Sequence, residues 1–288
     1  MRIFGLDITS RPSRGKPITC ATCTFEQGLL RVEGVEPLES FDAFEHMLQR
    51  PGPWVAGLDF PFGQPRQLVE DLGWPPDWEG CVARVGAMTK QEFEAVLKTY
   101  AATHPKGHKH LFRQADRAAR ACSPMMLYFT PVAKMFYQLA PRLMRSGVSV
   151  IPCRPNGQNR VAVEAYPGML ARKWIDRRSY KAERRKKQTQ ERRAAREQLA
   201  AAVESEAFAE HYGFTCSCGT SRQALIEDPA GDTLDAVLSA VQAAWACARR
   251  TQNYGMPAGC DPLEGCIADP ACCNPTAAHF GPPRGTAS

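Results

Sequence analysis

Three short apolar runs of this chain each end on an acidic residue, and they constrain the fold more than any other feature. The runs are IFGLD, ending on Asp7, WVAGLD, ending on Asp59, and RVAVE, ending on Glu164. The run before Asp59 is continuously apolar, as is typical of a strand buried on both faces. Ligands of open α/β sheets bind outside the carboxyl ends of the strands, so neighbouring strands of this kind would bring three carboxylates together. An acid after a strand is also a common turn former, which is the alternative for each residue alone.

The other apolar patterns predict more strands and a first helix. Residues 18–25 and 29–35 predict a hairpin with its turn near residues 26–28. Ser40 is a suitable cap for a helix that ends near residue 49. Residues 148–152 and 160–166 are also strand-like. The alternation of strands and helices indicates the α/β class.

The expected organisation is one domain over residues 1–254, followed by an irregular tail over residues 255–288. Within the domain, residues 63–147 read as a helical insertion, and residues 172–212 as a basic helical segment. A last long helix is expected to start just after Asp228, with the following proline in its first turn.

The net charge of +6 is concentrated in one segment. Residues 172–196 hold 12 Lys or Arg against three acids, so the rest of the chain is net negative. Blocks of like charge often bind nucleic acid, although a solvated helix has the same composition. We expect phosphate contacts here, extended by arginines of the insertion that share one helix face. The expected nucleic-acid-binding residues are Arg113, Arg117, Arg120, Lys181, Arg184, Arg185, Lys186 and Lys187.

The 12 cysteines bear on the cellular compartment. Neither a secretory signal nor a membrane-spanning apolar stretch is visible, so we expect a cytoplasmic protein with reduced thiols and no membrane partner. Zinc knuckles need two to four residues between their cysteines, and Cys216 and Cys218 are too close. Cys20 and Cys23 have a suitable spacing but lie in a predicted strand, where they would face opposite ways. The sequence predicts no structural zinc.

The last predicted helix adds an acidic pair, Asp232 and Asp235, in DTLDAV. Their spacing of three puts them on one helix face. Carboxylate oxygens are the ligands that Mg²⁺ and Mn²⁺ prefer, and crowded carboxylates repel one another unless a cation neutralises them. With the strand-end acids, the pair predicts a metal site. The alternative is a solvated polar stripe that Asp232 and Asp235 form with Ser239 and Gln242.

Five segments carry a resemblance to a known family: LDITS at 6–10, GLDFPFG at 57–63, VEAYPG at 163–168, YK at 180–181 and GDTLDAVLSAVQAAWA at 231–246. Taken together, they resemble the motifs of domain-of-unknown-function family 429, a predicted nuclease family of the ribonuclease-H-like superfamily. The resemblance covers most of residues 2–267, and the acidic pair of the last helix is also similar to that of Holliday-junction resolvases.

The resemblance implies a ribonuclease-H-like mixed five-stranded sheet flanked by helices. It also implies a phosphodiesterase that cleaves nucleic acid, DNA or RNA, with two Mg²⁺ or Mn²⁺ ions at the acidic site. The implied catalytic residues and metal ligands are Asp7, Asp59 and Asp235, followed by Glu164 and Asp232.

Two other functions are compatible with the same patterns. The segment LDITSRPSRGK weakly resembles a first phosphate loop of actin-like ATPases, a related fold of nucleotide-binding proteins. Those proteins need a second domain and a second Gly-rich phosphate loop, and the sequence shows neither. The other function is a nucleic-acid-binding module whose acids are not catalytic.

Overall fold

A mixed sheet of seven strands lies at the centre of the computed structural model, which describes residues 1–182 and 187–273. The strands are β1 (Arg2–Asp7), β2 (Ile18–Glu26), β3 (Leu29–Leu38), β4 (Trp54–Leu58), β5 (Ser149–Ile151), β6 (Arg160–Glu164) and β7 (Thr215–Ser217). Their order across the sheet is β5-β6-β4-β1-β2-β3-β7. Strand β2 is antiparallel to both of its neighbours, and every other neighbouring pair is parallel.

The seven strands correct the expected number of five. The two additional strands, β5 and β7, have three residues each and form the two edges of the sheet. The sequence around β5 is strand-like, whereas β7 is too short to show an alternating pattern. Strand β7 forms because it pairs in parallel with the start of β3, where Thr215 lies opposite Leu29.

Helices cover both faces of the sheet. None of those in the described ranges is long and apolar enough to cross a membrane. They are α1 (Phe41–Leu48), α2 (Arg66–Asp71), α3 (Trp78–Gly86), α4 (Lys90–Ala102), α5 (Gln114–Ala119), α6 (Val132–Arg145), α7 (Pro167–Ile175), α8 (Gln190–Val203), α9 (Glu206–Tyr212), α10 (Arg222–Glu227), α11 (Asp232–Ala248) and α12 (Pro270–Cys273).

The first hairpin and the first helix form where local signals predict them. Gln27 and Gly28 have positive φ angles of 48° and 75°, as a tight turn between β2 and β3 requires. The Ser40 side chain accepts a hydrogen bond from the Ala43 backbone N at 3.1 Å and so caps α1.

Each face of the sheet has its own hydrophobic core. Helices α2, α3, α4 and α6 lie in the chain between β4 and β5 and contribute to the core that contains Phe4, Leu58 and Cys20. Helices α7 to α11 contribute to the core on the other face, which contains Cys23. Cys20 and Cys23 therefore face opposite sides of β2, as their spacing in a strand predicts.

The described part of the tail packs against the sheet instead of trailing from it. Ile267 forms a parallel bridge with Glu164 at the end of β6, and the short helix α12 follows. Asp261 accepts two hydrogen bonds from Arg66, at 2.5 and 2.6 Å. These contacts connect the tail to the carboxyl ends of the central strands.

The last long helix, α11, begins at Asp232, which is later than expected. The Asp228 carboxylate accepts hydrogen bonds from the backbone N of Ala230 at 3.0 Å and of Thr233 at 2.8 Å. It therefore stabilises a turn ahead of the helix. Gly231, with a φ of 79°, ends that turn and precedes the first helical residue.

Helix α11 lies directly on β1 and β4 because both strands have a glycine at the contact. A Cβ atom on Gly5 would lie 2.0 Å from the Ala236 carbonyl oxygen, and one on Gly57 would lie 2.2 Å from the Ser239 carbonyl oxygen. A side chain at either position would force the backbones apart. The contact also places the first turn of α11 beside the carboxyl ends of the two strands.

Replacing Gly5 should disturb this contact measurably. We expect Gly5→Ala to lower the free energy of unfolding by about 3 kcal/mol, because the new methyl group overpacks the interface. The matched control is Gly34→Ala in β3, where a Cβ would meet nothing within 4 Å. Urea denaturation of both variants tests the packing, and similar small effects in both would contradict it.

Candidate functional site

The strand ends that carry Asp7, Asp59 and Glu164 are neighbours, as the sequence predicted, because β6, β4 and β1 are adjacent. Their register separates the three side chains. Leu6 pairs with Leu58, and Leu58 pairs with Glu164. Asp7 and Asp59 each follow a paired leucine, and side chains alternate between faces along a strand. Asp7 and Asp59 therefore point to the face that α11 covers, and Glu164 points to the other.

Glu164 is buried in a salt bridge with Arg113. Arg113 Nη2 donates to Glu164 Oε1 at 2.6 Å, and Arg113 Nη1 donates to Oε2 at 2.8 Å. The Phe62 backbone N also donates to Oε2, at 2.8 Å. Burial raises the pKa of Glu164, and the adjacent guanidinium opposes that shift. Both oxygens are engaged, so this carboxylate is held apart from the other acids.

Arg113 is a structural residue, which corrects its expected place among the nucleic-acid contacts. It is only 2% exposed. Besides Glu164, its guanidinium binds the Asp116 carboxylate at 2.7 and 3.0 Å. A buried guanidinium needs such partners, and these leave it no surface to offer a phosphate. Arg117, on the same helix, is exposed and lies 5.6 Å from the centre of the Phe112 ring.

A cluster of four carboxylates lies on the α11 face, and we call it the acid cluster: Asp7, Asp59, Asp232 and Asp235. Only Asp235 is fully buried. It accepts a hydrogen bond from Tyr180 Oη at 2.5 Å and forms a salt bridge with Lys181. Among the described residues, no side chain or backbone group donates a hydrogen bond to the carboxylate of Asp7 or Asp59.

The acid cluster holds more carboxylates than Lys181 can neutralise if all of them are ionised. Burial raises the pKa of Asp7 well above its ordinary value, and the charges of Asp235, Asp59 and Asp232 raise it further. Burial also raises the pKa of Asp59 to about 7, with a further contribution from Asp235. The Lys181 ammonium opposes both shifts without cancelling them. Such a cluster favours either protons or a bound cation.

Lys181 is the internal counterion of the acid cluster. From the sequence it was expected only to contact nucleic acid. Burial disfavours its charge, but Asp235 and Asp7 outweigh burial and raise the pKa of Lys181. The backbone beside it is fixed, because Arg196 Nη1 donates to the Tyr180 carbonyl at 2.8 Å. Arg196 belongs to the basic segment by sequence but is buried and structural.

The polar side chains of α11 do not form a solvated stripe. Asp235, Ser239 and Gln242 are all fully buried. Gln242 Nε2 donates at 2.9 Å to Asp269, a buried acid of the tail that also accepts from Tyr212 Oη at 3.0 Å. Sequence reasoning missed Asp269, because an acid in a Pro- and Cys-rich tail gives no local signal of burial.

The acid cluster offers oxygen donors of the kind that divalent metals prefer, without a preformed arrangement of ligands. Within residues 1–182 and 187–273, no three His, Cys, Asp or Glu side chains are grouped so that they could hold a metal ion. The donors are nonetheless hard oxygen ligands with excess negative charge. Asp235 would need to exchange Lys181 for the ion. The chemistry of the donor set therefore fits Mg²⁺ or Mn²⁺ for Asp7, Asp59, Asp232 and Asp235, but not for Glu164.

A basic cavity of about 380 Å³ adjoins the acid cluster. The four acids do not line this cavity, but Tyr180 and Lys181, which contact Asp235, do. A neighbouring cavity of about 630 Å³ shares part of this lining and adds Lys173. The charged residues of the first cavity are Arg120, Arg172, Asp176, Arg177, Arg178 and Lys181.

The other basic residues predicted to contact nucleic acid are distributed differently. Arg120 lines both cavities, and Lys187 is exposed. Arg184, Arg185 and Lys186 lie outside the described residues. Sequence reasoning did not single out Arg172, Arg177 and Arg178 from the basic segment, because charge density alone does not show which arginines line a cavity.

The fold and the site define a mixed α/β protein with an acid cluster and a basic cavity at the carboxyl ends of its parallel strands. Residues 5–258 match the family described as "Protein of unknown function (DUF429)", and the chain belongs to that family. Searches of curated proteins and of solved structures gave no match. The matched region contains the whole acid cluster and the pair of Arg113 and Glu164.

Removing the buried guanidinium should destabilise the fold. We expect Arg113→Met to lower the free energy of unfolding by about 3–5 kcal/mol, because Glu164 and Asp116 would be left buried without a cation. Arg117→Met, on the exposed side of the same helix, should change it by less than about 0.5 kcal/mol. Urea denaturation at pH 7 measures both, and equal effects would argue against a structural role for Arg113.

The raised pKa of Asp59 should make the metal-free protein less stable as pH rises. The pKa is about 7 in the folded protein and 3.8 for the ordinary side chain. Between these values the folded form holds a proton that the unfolded chain has lost, so the free energy of unfolding falls with increasing pH. In Asp59→Asn this fall should be smaller.

Urea denaturation from pH 4 to pH 8 with a chelator present tests this expectation. Asp42→Asn, a change of an exposed acid in the first turn of α1, is the control and should keep the wild-type slope. If Asp59→Asn also keeps the wild-type slope, Asp59 is ionised in the folded protein and the description of the cluster is wrong.

Proposed function

We propose that the protein is a metal-dependent nuclease of the ribonuclease-H-like superfamily. Five of its strands, in the order β3-β2-β1-β4-β6 with β2 antiparallel, form a mixed sheet of the kind that the resemblance implies. Helix α11 packs on this sheet as its last long helix. The fold therefore supports the superfamily through its strand order alone, and the proposed chemistry rests on the side chains of the site.

The observation that carries the proposal is that Tyr180 and Lys181, which contact Asp235 in the acid cluster, also line the basic cavity. A phosphodiester is an anion, and its hydrolysis at carboxylates requires a cation between the two. The raised pKa values of Asp7 and Asp59 show that these carboxylates are costly to ionise without a cation, and the cavity offers arginines to phosphates. Lys181 pairs with Asp235 and also lines the cavity. The two features together favour a phosphodiester substrate over a small neutral ligand.

The proposed metal ligands are Asp7, Asp59 and Asp235, with Asp232 at the exposed side of the cluster. When bound, Mg²⁺ or Mn²⁺ ions would supply Lewis-acid chemistry, by neutralising phosphate oxygens and acidifying water. Glu164 is left out of this set, because Arg113 and Phe62 already occupy its oxygens.

The chain's own groups have distinct parts in this proposal. Arg172, Arg177 and Arg178 bind the phosphates of the nucleic acid through their guanidinium groups and so orient it towards the cluster. Tyr180 Oη keeps the Asp235 carboxylate in a fixed orientation through its 2.5 Å hydrogen bond. Lys181 neutralises Asp235, and its ammonium would be available to a phosphate if Asp235 held a metal ion instead.

A cleavage screen tests the catalytic part of the proposal. Single-stranded, duplex, hybrid and junction substrates should be incubated with the protein in Mg²⁺, in Mn²⁺ and in a chelator. We expect cleavage of at least one substrate with metal only, and its loss in Asp7→Asn, because the variant removes one negative ligand. Asp42→Asn is the matched control and should remain active.

The outcomes also separate the alternatives. Binding of nucleic acid without cleavage of any substrate would favour a non-catalytic binding module. ATP binding in the absence of nucleic acid would favour a relative of the actin-like ATPases.

The basic cavity should contribute to nucleic-acid affinity in a salt-dependent way. Removing one side chain that binds a phosphate should reduce the slope of log affinity against log salt by about 0.7–0.9. We expect this reduction in Arg177→Gln, which changes an exposed residue of the cavity, and none in Arg31→Gln, which changes an exposed residue of β3. Titrations of a labelled oligonucleotide in chelator measure the slopes, and identical slopes would exclude the cavity as the binding surface.

A further inference from the structure

A second cluster of reactive groups, made of thiols, lies apart from the acid cluster. A cavity of about 380 Å³ is lined by Cys260, Cys266, Cys272 and Cys273, with Gln114 and Arg117 at its side. All four cysteines lie beyond residue 258, where the family match ends. They are free thiols, and nothing in the proposed nuclease chemistry uses them.

Cys266 is at the centre of this thiol cluster. The thiols of Cys260 and Cys273 lie close enough to donate hydrogen bonds to its sulfur, and these bonds outweigh burial and lower the pKa of Cys266. The charge of Arg113 acts in the same direction. A thiol with a lowered pKa at a cavity wall is the usual setting of a reactive cysteine.

Cys260 is the better partner for Cys266. The Cys273 thiol also donates to the Ile267 carbonyl at 3.3 Å, and the Cys272 thiol contacts the Met169 sulfur at 3.5 Å. Cys260 is half-buried, whereas Cys273, like Cys266 itself, is only 6% exposed. Cys260 therefore has a sulfur that is less constrained by other contacts and more accessible from the cavity.

The loop between the two cysteines is already folded. The Gly265 backbone N donates to the Asp261 carbonyl at 2.9 Å, which closes residues 261–265 into one turn. The Glu264 carbonyl accepts from Arg113 Nη1 at 2.8 Å. Because these contacts fix both ends of the loop, the cysteines that flank it are held near each other at little further entropic cost.

We propose that Cys266 and Cys260 form a dithiol that hydrogen peroxide oxidises to a disulfide. The Cys266 thiolate attacks one peroxide oxygen, the O–O bond breaks, and Cys266 sulfenic acid and hydroxide are formed. The Cys260 sulfur then attacks the Cys266 sulfur, the S–S bond forms and the S–O bond breaks. The departing hydroxide takes the Cys260 proton and leaves as water. The two sulfurs together lose two electrons, which the peroxide gains.

Peptide mapping of the oxidised full-length protein tests the proposal. The protein is treated with dilute hydrogen peroxide, its remaining thiols are alkylated, and it is digested with a protease that cuts after Asp and Glu. A cut after Glu264 separates Cys260 from Cys266 and the pair at 272–273. Fragmentation of the joined peptides then shows which of these cysteines is linked to Cys260. We expect the peptides of Cys260 and Cys266 to stay joined until a reductant is added, with the loss of two hydrogen atoms.

Two variants test which cysteines take part in the reaction. Cys260→Ser should accumulate Cys266 sulfenic acid, which a 1,3-diketone probe traps. Cys122→Ser, which removes an exposed cysteine outside the cluster, should leave the cross-link unchanged. A link from Cys266 to Cys273, sulfinic acid on Cys266 in the wild type, or reaction of Cys122 alone would each overturn the proposal. The peptide mapping of the wild-type protein tests the proposal even if a variant fails to fold.

Discussion

The close contact of α11 with β1 and β4 is the constraint on which the site depends. Gly5 and Gly57 let the helix backbone lie directly against the strands, and a Cβ at either position would collide with a carbonyl oxygen of α11. With the helix at this distance, Asp235 in its first turn lies beside Asp7 and Asp59. Acids that are far apart in sequence thereby come to share one electrostatic environment. The same contact buries Asp235, which raises the cost of leaving it without a cation.

The protein neutralises its buried acids in two ways. One ion pair stabilises the fold, and the other belongs to the proposed catalytic site. Glu164, on one face of the sheet, is permanently paired with Arg113, a guanidinium that is itself buried. Asp235, on the other face, is paired with Lys181, whose side chain is 48% exposed. A flexible ammonium at the mouth of a cavity can leave its partner far more easily than a buried guanidinium can. The acid cluster is therefore where we propose that a cation is exchanged.

The positions of the strand-end acids were predictable, but the faces they occupy were not. An apolar run that ends on Asp7, Asp59 or Glu164 shows where a strand stops. The adjacency of these strands is what the resemblance to the ribonuclease-H-like order of elements implies, and the sheet has it. A shift of one residue in register, however, moves a side chain to the opposite face. No pattern in the sequence shows that Glu164 pairs with Leu58 instead of lying level with Asp59. Its separation from the other acids is thus a property of the assembled sheet.

Two other differences between the expected and the observed structure also arise from tertiary packing. Arg113, Arg117 and Arg120 have a spacing that puts them near one another on a helix, and that spacing is the same whether a residue is buried or exposed. Only the tertiary contacts of Arg113 with Glu164 and Asp116 show that it is internal. Asp228 has the chemistry of a helix cap, but the same carboxylate can stabilise a turn, and here it does so. Local chemistry determined the type of interaction, and packing determined its place.

Calorimetric titration with Mn²⁺ tests most directly whether the acid cluster is a cation site. We expect the wild-type protein to bind Mn²⁺ and Asp7→Asn to lose most of that affinity, while Asp42→Asn binds as the wild type does. Lys181→Gln should bind Mn²⁺ more tightly, because the ion no longer competes with the ammonium for Asp235. Absence of Mn²⁺ binding by the wild type, or equal affinity in the wild type and Asp7→Asn, would contradict a metal site at the acid cluster.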